Sequence, residues 1–157
     1  MLKKIAAAAA LAIVASTAVA AEAPAFYIGA DVGSTKLDGF DDRETGYGVF
    51  AGYQINQTYA IEANYRMLAD VDGAEADQFG LSAIATLPLS SGFNVYGRLG
   101  YNRAELTGAG SFSRKESGVL YGVGLGYEFS PTVAARLEVQ KPTSDVTNVS
   151  AGVSFSF

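Results

Sequence analysis

Cysteine, histidine and tryptophan are absent from this chain of 157 residues. Without cysteine the chain has no disulfide, no thiolate metal site and no cysteine nucleophile. Without histidine it lacks the most common general base of enzymes and the most common protein ligand of metals. We therefore predict a protein that is not an enzyme and that binds neither a metal nor another cofactor. A serine or aspartate hydrolase that works without histidine is the remaining enzymatic alternative, and the sequence shows no cluster of that kind.

Long apolar runs and positive charge are also scarce. Beyond roughly the first twenty residues, no stretch is apolar enough over a sufficient length to form a transmembrane helix. Any membrane-spanning part of the remaining chain must therefore consist of β-strands. The net charge is −5, and it falls to −7 when the two lysines of the first twenty residues are removed. This acidity argues against nucleic acid as a partner.

The first twenty residues have the three parts of a secretory signal peptide. Two lysines precede an apolar run, and Ala18 and Ala20 supply the small residues of a cleavage site. We predict cleavage before Ala21, so that residues 1–20 are a signal peptide and residues 21–157 form a single domain. An uncleaved N-terminal anchor is the alternative. It is disfavoured because the run consists largely of alanine and a strand pattern follows at once.

From Phe26 onward, apolar residues alternate with small or polar ones, as in a sheet with one apolar and one polar face. The alternating segments span residues 25–35, 45–55, 58–68, 78–88, 93–104, 117–129, 132–141 and 147–157. Each is close to the roughly 9–11 residues that a tilted strand needs to cross a bilayer. Their number is even, as a closed antiparallel barrel requires. We predict an all-β fold, an eight-stranded antiparallel up-and-down transmembrane β-barrel over residues 21–157.

The connections between these segments alternate between long and short. The long ones span 36–44, 69–77 and 105–116, and the short ones span 56–57, 89–92 and 130–131. Long external loops and short periplasmic turns give this alternation, which places the N-terminus in the periplasm. Aromatic residues of the apolar face lie near the strand ends, whereas a soluble β-sandwich, the alternative fold, would bury them in mid-strand. We predict a multi-pass protein of the Gram-negative outer membrane.

The opposite face of the strands is rich in glycine and charged residues, and we expect it to line the lumen. Eight strands leave an interior just wide enough for side chains to fill, so glycines make room for long charged side chains. A phosphate-binding interpretation of Gly122, Gly124 and Gly126 is disfavoured, because their spacing is wrong and they lead into a strand.

Four segments carry a resemblance to a known family. They are Gly48–Asn56 (GVFAGYQIN), Tyr96–Gly100 (YGRLG), Ala134–Glu138 (AARLE) and Ser150–Phe157 (SAGVSFSF). Over residues 26–157 the chain resembles the OmpA-like transmembrane barrel of bacterial outer membranes. The resemblance implies a lumen that is plugged by a cluster of acidic and basic side chains.

A lumenal charge network follows from this resemblance and from the alternation of inward-facing and outward-facing positions along each strand, which we call parity. Its predicted members are Asp31, Glu62, Arg98, Glu128, Arg136 and Glu138. We expect Arg136 at the centre, with Glu62 and Glu128 as its main partners. Where the family commonly has a lumenal lysine, the first strand here has Asp31 and the fourth has Ile84. We therefore expect an excess of negative charge in the lumen.

The last segment alternates up to a terminal phenylalanine. Its apolar positions are Val149, Ala151, Val153, Phe155 and Phe157. This pattern resembles the signal that the barrel-assembly machinery reads, so we expect that machinery and periplasmic chaperones as partners during biogenesis. Because the sequence stops at Phe157, we expect neither the peptidoglycan-binding domain frequent in the family nor anchoring to the cell wall.

Three functions are compatible with such a barrel. The leading one is a structural role in envelope integrity or a surface interaction through the external loops, because small barrels hold no large aqueous channel. A narrow pore for water, ions or small solutes is the alternative, and an outer-membrane enzyme comes last. We expect a monomer that contacts outer-membrane lipid and lipopolysaccharide and binds no nucleic acid.

Two of the predicted loops are strongly acidic. Their carboxylates are Asp38, Asp41, Asp42, Glu44, Asp70, Asp72, Glu75 and Asp77. If the loops meet, this rim would hold Ca²⁺ or Mg²⁺ bridging to lipopolysaccharide phosphates. Solubilising loop charge is the favoured interpretation, so no metal site is predicted.

Overall fold

A computed structural model describes residues 26–37, 43–71, 74–108, 112–143 and 146–157 of the chain. The strands are β1 (Phe26–Leu37), β2 (Arg43–Gln54), β3 (Tyr59–Val71), β4 (Ala74–Pro88), β5 (Phe93–Gly108), β6 (Phe112–Ser130), β7 (Val133–Thr143) and β8 (Val146–Ser156). Neighbouring strands pair antiparallel in sequence order, and β1 also pairs with β8, so the sheet closes on itself. This confirms the predicted eight-stranded antiparallel up-and-down barrel. No helix within the described ranges is long and apolar enough to span a bilayer.

The hairpins at the end of the barrel that we predict to be external, and call the external end, extend further than the alternation predicts. The opposite end is called the periplasmic end on the same prediction. β5 and β6 pair as far as Gly108 with Phe112, although the sequence pattern predicts a loop over 105–116. β3 and β4 likewise pair as far as Val71 with Ala74. The sequence of these outer parts does not alternate regularly between apolar and polar residues, although the backbone pairing continues. The sequence pattern therefore marks the half-apolar part of each strand and misses its polar extension.

The short turns are held by local contacts. Asn56 Oδ1 accepts the backbone N–H groups two and three residues ahead, both at 2.8 Å. Ser130 Oγ accepts the corresponding N–H groups at 3.3 and 3.1 Å, so the two turns whose sequences resemble each other are capped alike. Between β4 and β5, Ser91 and Gly92 have left-handed φ angles of 60° and 81°. Glycine adopts this conformation without strain, which explains the glycine at position 92.

The outer face of the barrel is apolar and exposed. Leu99, Val123 and Leu137 are 64%, 64% and 59% exposed, which is opposite to the burial of such residues in a soluble protein. Near the periplasmic ends of β5 and β6, Phe93 and Tyr127 form an aromatic pair with ring centroids 4.7 Å apart. This surface suits a hydrocarbon environment with aromatic residues at its edge.

The interior of the barrel is mainly polar. The buried apolar residues among those described are Phe50, Ala60, Ile84, Tyr96 and Leu120. Ala60, Ile84 and Tyr96 form a small cluster at the periplasmic end, against which Tyr27 packs. Most other buried side chains are charged, amide or hydroxyl groups, so the chemistry of this molecule is concentrated in its lumen.

Candidate functional site in the barrel lumen

Glu62 is the centre of a series of ion pairs in the lumen. Its Oε1 lies 2.6 Å from Arg98 Nη2, and its Oε2 lies 2.7 Å from Arg136 Nη1. Tyr27 donates its hydroxyl to the same carboxylate at 3.0 Å. Glu62 is 1% exposed, so these three partners replace bulk water around its charge.

Asp31 connects this series to a third arginine. Its Oδ1 lies 2.5 Å from Arg66 Nη2, and its Oδ2 lies 3.6 Å from Arg136 Nη2. Arg66 also donates through Nη1 to Asn148 Oδ1. Asn148 in turn donates to Thr35 Oγ1 at 2.8 Å, so polar contacts continue towards the external end of the barrel.

Glu138 lies at the other end of the series. Arg98 meets it through two nitrogens, with Nε 2.5 Å from Oε1 and Nη2 3.1 Å from Oε2. Forked arginine contacts of this kind fix the geometry as well as the charge. Tyr96 donates its hydroxyl to Glu138 Oε2 at 2.8 Å. Arg98 therefore bridges the carboxylates of Glu62 and Glu138.

The six charged residues form one path of alternating sign, which we call the charge chain. Its order is Arg66, Asp31, Arg136, Glu62, Arg98 and Glu138. Three arginines meet three carboxylates, so charge is balanced in this path and the predicted excess of negative charge is not found there. Arg66 makes the difference because it neutralises Asp31.

Glycines on the intervening strands allow the members of the charge chain to meet. Asp31, Gly48 and Arg66 lie in one row across β1, β2 and β3. A Cβ at Gly48 would lie 2.6 Å from Asp31 Oδ1 and 3.2 Å from Arg66 Nε, in space that these side chains occupy. Gly152 has the same position on β8, between Asp31 and Arg136.

The same arrangement positions the two tyrosines. Gly52 separates Tyr27 from Glu62, and Gly124 separates Tyr96 from its carboxylate acceptor. All members of the charge chain and both tyrosines lie on odd-numbered strands, while the glycines between them lie on even-numbered strands. At the charge chain, β1, β3, β5 and β7 thus carry the functional groups, and glycines of β2, β6 and β8 make room for them.

Glu128 is the one predicted member that lies outside the charge chain. It is exposed, and its Oε1 lies 3.4 Å from Asn94 Nδ2. Gly126 occupies the position beside Arg136, whereas Glu128 pairs with Ala134, two residues nearer the turn, just before an irregularity ends the ladder. The prediction that Arg136 pairs with Glu128 is wrong. Parity shows that a side chain faces inwards, but not how far along the barrel axis it lies.

Four residues of the site are missing from the predicted network. They are Tyr27, Arg66, Tyr96 and Asn148. Their inward parity can be read from the sequence, but the partners of Tyr27, Arg66 and Tyr96 lie two strands away across a glycine, or further. Asn148 has two partners directly opposite it, Thr35 on β1 and Gln140 on β7. Only the register of the strands reveals such pairs. A search for polar residues aligned across a lumenal glycine would have found both tyrosines and Arg66.

Above the charge chain, towards the external end, lies a set of buried amides that we call the amide layer. It consists of Gln78, Asn102, Gln140 and Asn148, all at most 3% exposed. Gln140 Nε2 donates to Asn148 Oδ1 at 3.3 Å. In contrast, both amide atoms of Gln78 and the side-chain oxygen of Gln140 have no hydrogen-bond partner among the described residues. Buried groups of this kind are ordinarily satisfied by internal water.

The remaining predicted sites are only partly covered by the structure. Val149, Ala151, Val153 and Phe155 face outwards and are exposed, and Phe157 donates its backbone N–H to Phe26 O at 2.9 Å. Their interpretation as an assembly signal stays a prediction. The predicted signal peptide, residues 1–20, lies outside the described residues, as do the acidic side chains of the loops apart from Asp77.

The family described as outer membrane protein β-barrel domain matches residues 5–157 of the chain. Outer membrane protein A of Shigella flexneri is 30% identical over an alignment of 167 positions, which covers 88% of this chain and 48% of that protein. The chain therefore spans about half the length of the curated relatives it matches.

Solved structures share the fold at lower sequence identity. Neisserial surface protein A has a TM-score of 0.65 at 24% identity, with 84% of this chain and 97% of that chain covered. The N-terminal β-barrel domain of Pseudomonas aeruginosa OprF has a TM-score of 0.65 at 20% identity, with 83% and 97% covered. At these identities the likeness concerns the fold alone.

Proposed function

The chain belongs to the family of outer membrane protein β-barrel domains, and from that premise we propose that it is a sealed barrel with a structural or surface role in the outer membrane. The closed lumen supports this proposal. The charge chain joins β1, β3, β5 and β7, and its members Glu62, Arg66 and Arg98 are 1%, 3% and 4% exposed. A lumen of eight strands that is filled and cross-linked in this way favours mechanical integrity over conduction.

Single-channel recording of the refolded protein in planar bilayers tests the proposal. A sealed barrel is expected to give no steady conductance steps under conditions in which a porin standard conducts. Heat-modified migration on a gel shows that the inserted protein is folded. Stepwise conductance from the folded fraction would contradict a sealed barrel. For the envelope role, deletion of the gene should sensitise cells to detergent, and a plasmid copy should restore resistance.

A narrow pore for water, ions or small solutes is the second candidate function. The amide layer favours it, because unpartnered buried amides bind water readily. The charge chain lies between this layer and the periplasmic cluster, so a pore would require its links to separate. Arg136 joins Asp31 to Glu62, and Arg136→Ala should then raise the conductance and the selectivity for cations. Unchanged recordings of this variant would count against the pore.

We also propose outer-membrane lipid and lipopolysaccharide as partners of the outer surface, and the barrel-assembly machinery as a partner during biogenesis. Lys36 and Arg103 are exposed near the external ends of β1 and β5. The periplasmic turns over 55–58, 89–92 and 131–132 contain no lysine or arginine. Cations at the external level suit the phosphates of lipopolysaccharide. Lys36→Gln with Arg103→Gln should weaken the thermal stabilisation that added lipopolysaccharide gives, and equal stabilisation of wild type and variant would contradict this contact.

A further inference from the structure

Leu120 is an apolar side chain in the middle of a polar lumen. It is fully buried, with 0% of its surface exposed. The other lumen-facing positions of β6 from residue 118 to residue 126 are glycines. Leu120 is therefore the one side chain that this stretch of β6 places in the lumen.

Leu120 reaches across one neighbouring strand to a glycine of the next. It pairs with Gly100 on β5, and a Cβ placed on Gly80 of β4 would lie 3.3 Å from Leu120 Cδ2. The isobutyl group of Leu120 therefore extends from β6 across β5 to β4, where Gly80 leaves room for it.

The glycines under Leu120 divide the polar groups of β4 and β5 into two sets. On β4, Ser82 lies on the periplasmic side of Gly80 and Gln78 lies on its external side. On β5, Gly100 separates Arg98 from Asn102 in the same way. Leu120 therefore lies between the charge chain below and the amide layer above on this side of the lumen.

Three unpartnered polar atoms lie close to Leu120. Asn64 Oδ1, Ser82 Oγ and Arg98 Nη1 have no hydrogen-bond partner among the described residues, and the three residues are 7%, 2% and 4% exposed. Ser82 and Arg98 belong to the strands that Leu120 crosses or reaches, and Asn64 pairs with Gly80 from β3. The three atoms would bind water if it could enter.

We infer that Leu120 is the apolar seal of the external half of the lumen, separating the unpartnered polar atoms of Asn64, Ser82 and Arg98 from the amide layer. An apolar constriction in an otherwise polar passage blocks water and ions because wetting it is unfavourable. This inference rests on the proposed sealed barrel and assigns its external closure to one residue. A polar side chain of smaller volume at position 120 would remove the seal without touching an ion pair of the charge chain.

Thiol labelling tests the seal. Because the chain contains no cysteine, a single introduced cysteine is the only thiol that can react. Ser82→Cys places the thiol beneath Leu120. The protein is refolded into vesicles, a small cationic methanethiosulfonate is added, and the mass shift is followed over time. Ser82→Cys alone should react slowly, and Ser82→Cys with Leu120→Ser should react at least about tenfold faster once the constriction is wettable.

Two control substitutions separate loss of the seal from a general loosening of the barrel. Val119→Ser introduces the same residue one position away, where the side chain faces outwards and is 58% exposed, and it should leave the labelling slow. Leu120→Met keeps an apolar side chain of similar volume and should also leave it slow. Heat-modified migration is required of every variant, and Leu120→Ala replaces Leu120→Ser if the serine variant does not fold.

The outcomes distinguish this inference from the sealed-barrel proposal. Equal labelling rates with Leu120 and with Ser or Ala at position 120 would overturn the inference, even if the wild-type barrel is silent in bilayers. Acceleration by Val119→Ser as large as that by Leu120→Ser would overturn it too. The wild-type barrel could instead conduct while labelling is faster only in the Leu120→Ser or Leu120→Ala variants. That result would overturn the sealed barrel but keep Leu120 as the residue that limits entry of the reagent into the lumen.

Discussion

The charge chain and the amide layer lie at neighbouring levels of one lumen, and both are nearly inaccessible to bulk solvent, yet the carboxylates of one and the amides of the other are satisfied differently. Each carboxylate of the charge chain has two arginines, or an arginine and a tyrosine, within 2.5–3.6 Å. In the amide layer, both amide atoms of Gln78 and the side-chain oxygen of Gln140 are without a partner among the described residues. The arginines of the charge chain keep two such atoms, Arg66 Nε and Arg98 Nη1.

The difference follows from charge. An ion in a poorly solvated site is strongly destabilising unless it is paired with good geometry. A neutral amide can instead be satisfied by a water molecule, which is nearly as favourable as a direct hydrogen bond. The charge chain therefore fixes the strands relative to one another, whereas the amide layer keeps the lumen polar and leaves the strand positions less constrained.

Removal of the central carboxylate should have the largest effect on stability. Glu62→Ala leaves Arg98 and Arg136 without the partner they share, in a buried site. We expect a loss of about 3–5 kcal/mol in the free energy of unfolding, reduced by whatever water enters the lumen. Urea unfolding in lipid vesicles measures it.

A matched control and a double mutant sharpen this prediction. Glu128→Ala changes an exposed glutamate outside the charge chain and should leave the free energy of unfolding unchanged. Glu62→Ala combined with Arg136→Ala should lose less than the sum of the two single effects, because coupled neighbours are not additive. Simple additivity would show that the charge chain is not a coupled network.

An added methyl group at a lumenal glycine should have an intermediate effect. At Gly48 the new Cβ would lie 2.6 Å from Asp31 Oδ1, so Gly48→Ala should force the pair of Asp31 and Arg66 apart. Overpacking of this kind costs about 1–3 kcal/mol. Gly97→Ala is the control, because a Cβ there meets nothing within 4 Å. Equal urea midpoints for the two variants would mean that the missing Cβ at Gly48 is not what admits the ion pair.

A change in the amide layer should have the smallest effect. Gln78 is 1% exposed, and neither of its amide atoms has a partner among the described residues. Gln78→Leu removes two unsatisfied polar groups without breaking a described hydrogen bond, so the free energy of unfolding should stay the same or rise by less than about 1 kcal/mol. A loss as large as that of Glu62→Ala would remove the contrast between the two regions.

The fold could be predicted from the sequence because three features each indicate a closed barrel. They are the alternation of apolar and polar residues, the even number of strands, and the alternation of long and short loops. The ends of the external hairpins could not, since β5 and β6 pair as far as Gly108 with Phe112, over a stretch whose sequence does not alternate regularly between apolar and polar residues. A pattern of alternating polarity exists only where the two faces of a strand meet different surroundings.

Within the lumen, parity identified which residues point inwards but not which of them meet. Glu128 and Gly126 have the same parity, and a step of two residues along β6 decides which of them lies beside Arg136. The contact of Arg66 with Asp31 depends on the register of three strands and on Gly48 between them. That information is global, because it is fixed by the closure of the barrel and not by any local segment.

The placement of the charge chain on odd-numbered strands bears on the time course of folding. None of its ion pairs can form within a single hairpin, because each link joins strands that are not neighbours in the sheet. The link between Asp31 and Arg136 spans β8 and requires the seam between the first and last strands to be closed. These contacts therefore form late. Contacts that form after the rate-limiting step slow unfolding more than they accelerate folding, so we expect the charge chain to act mainly on the lifetime of the inserted barrel.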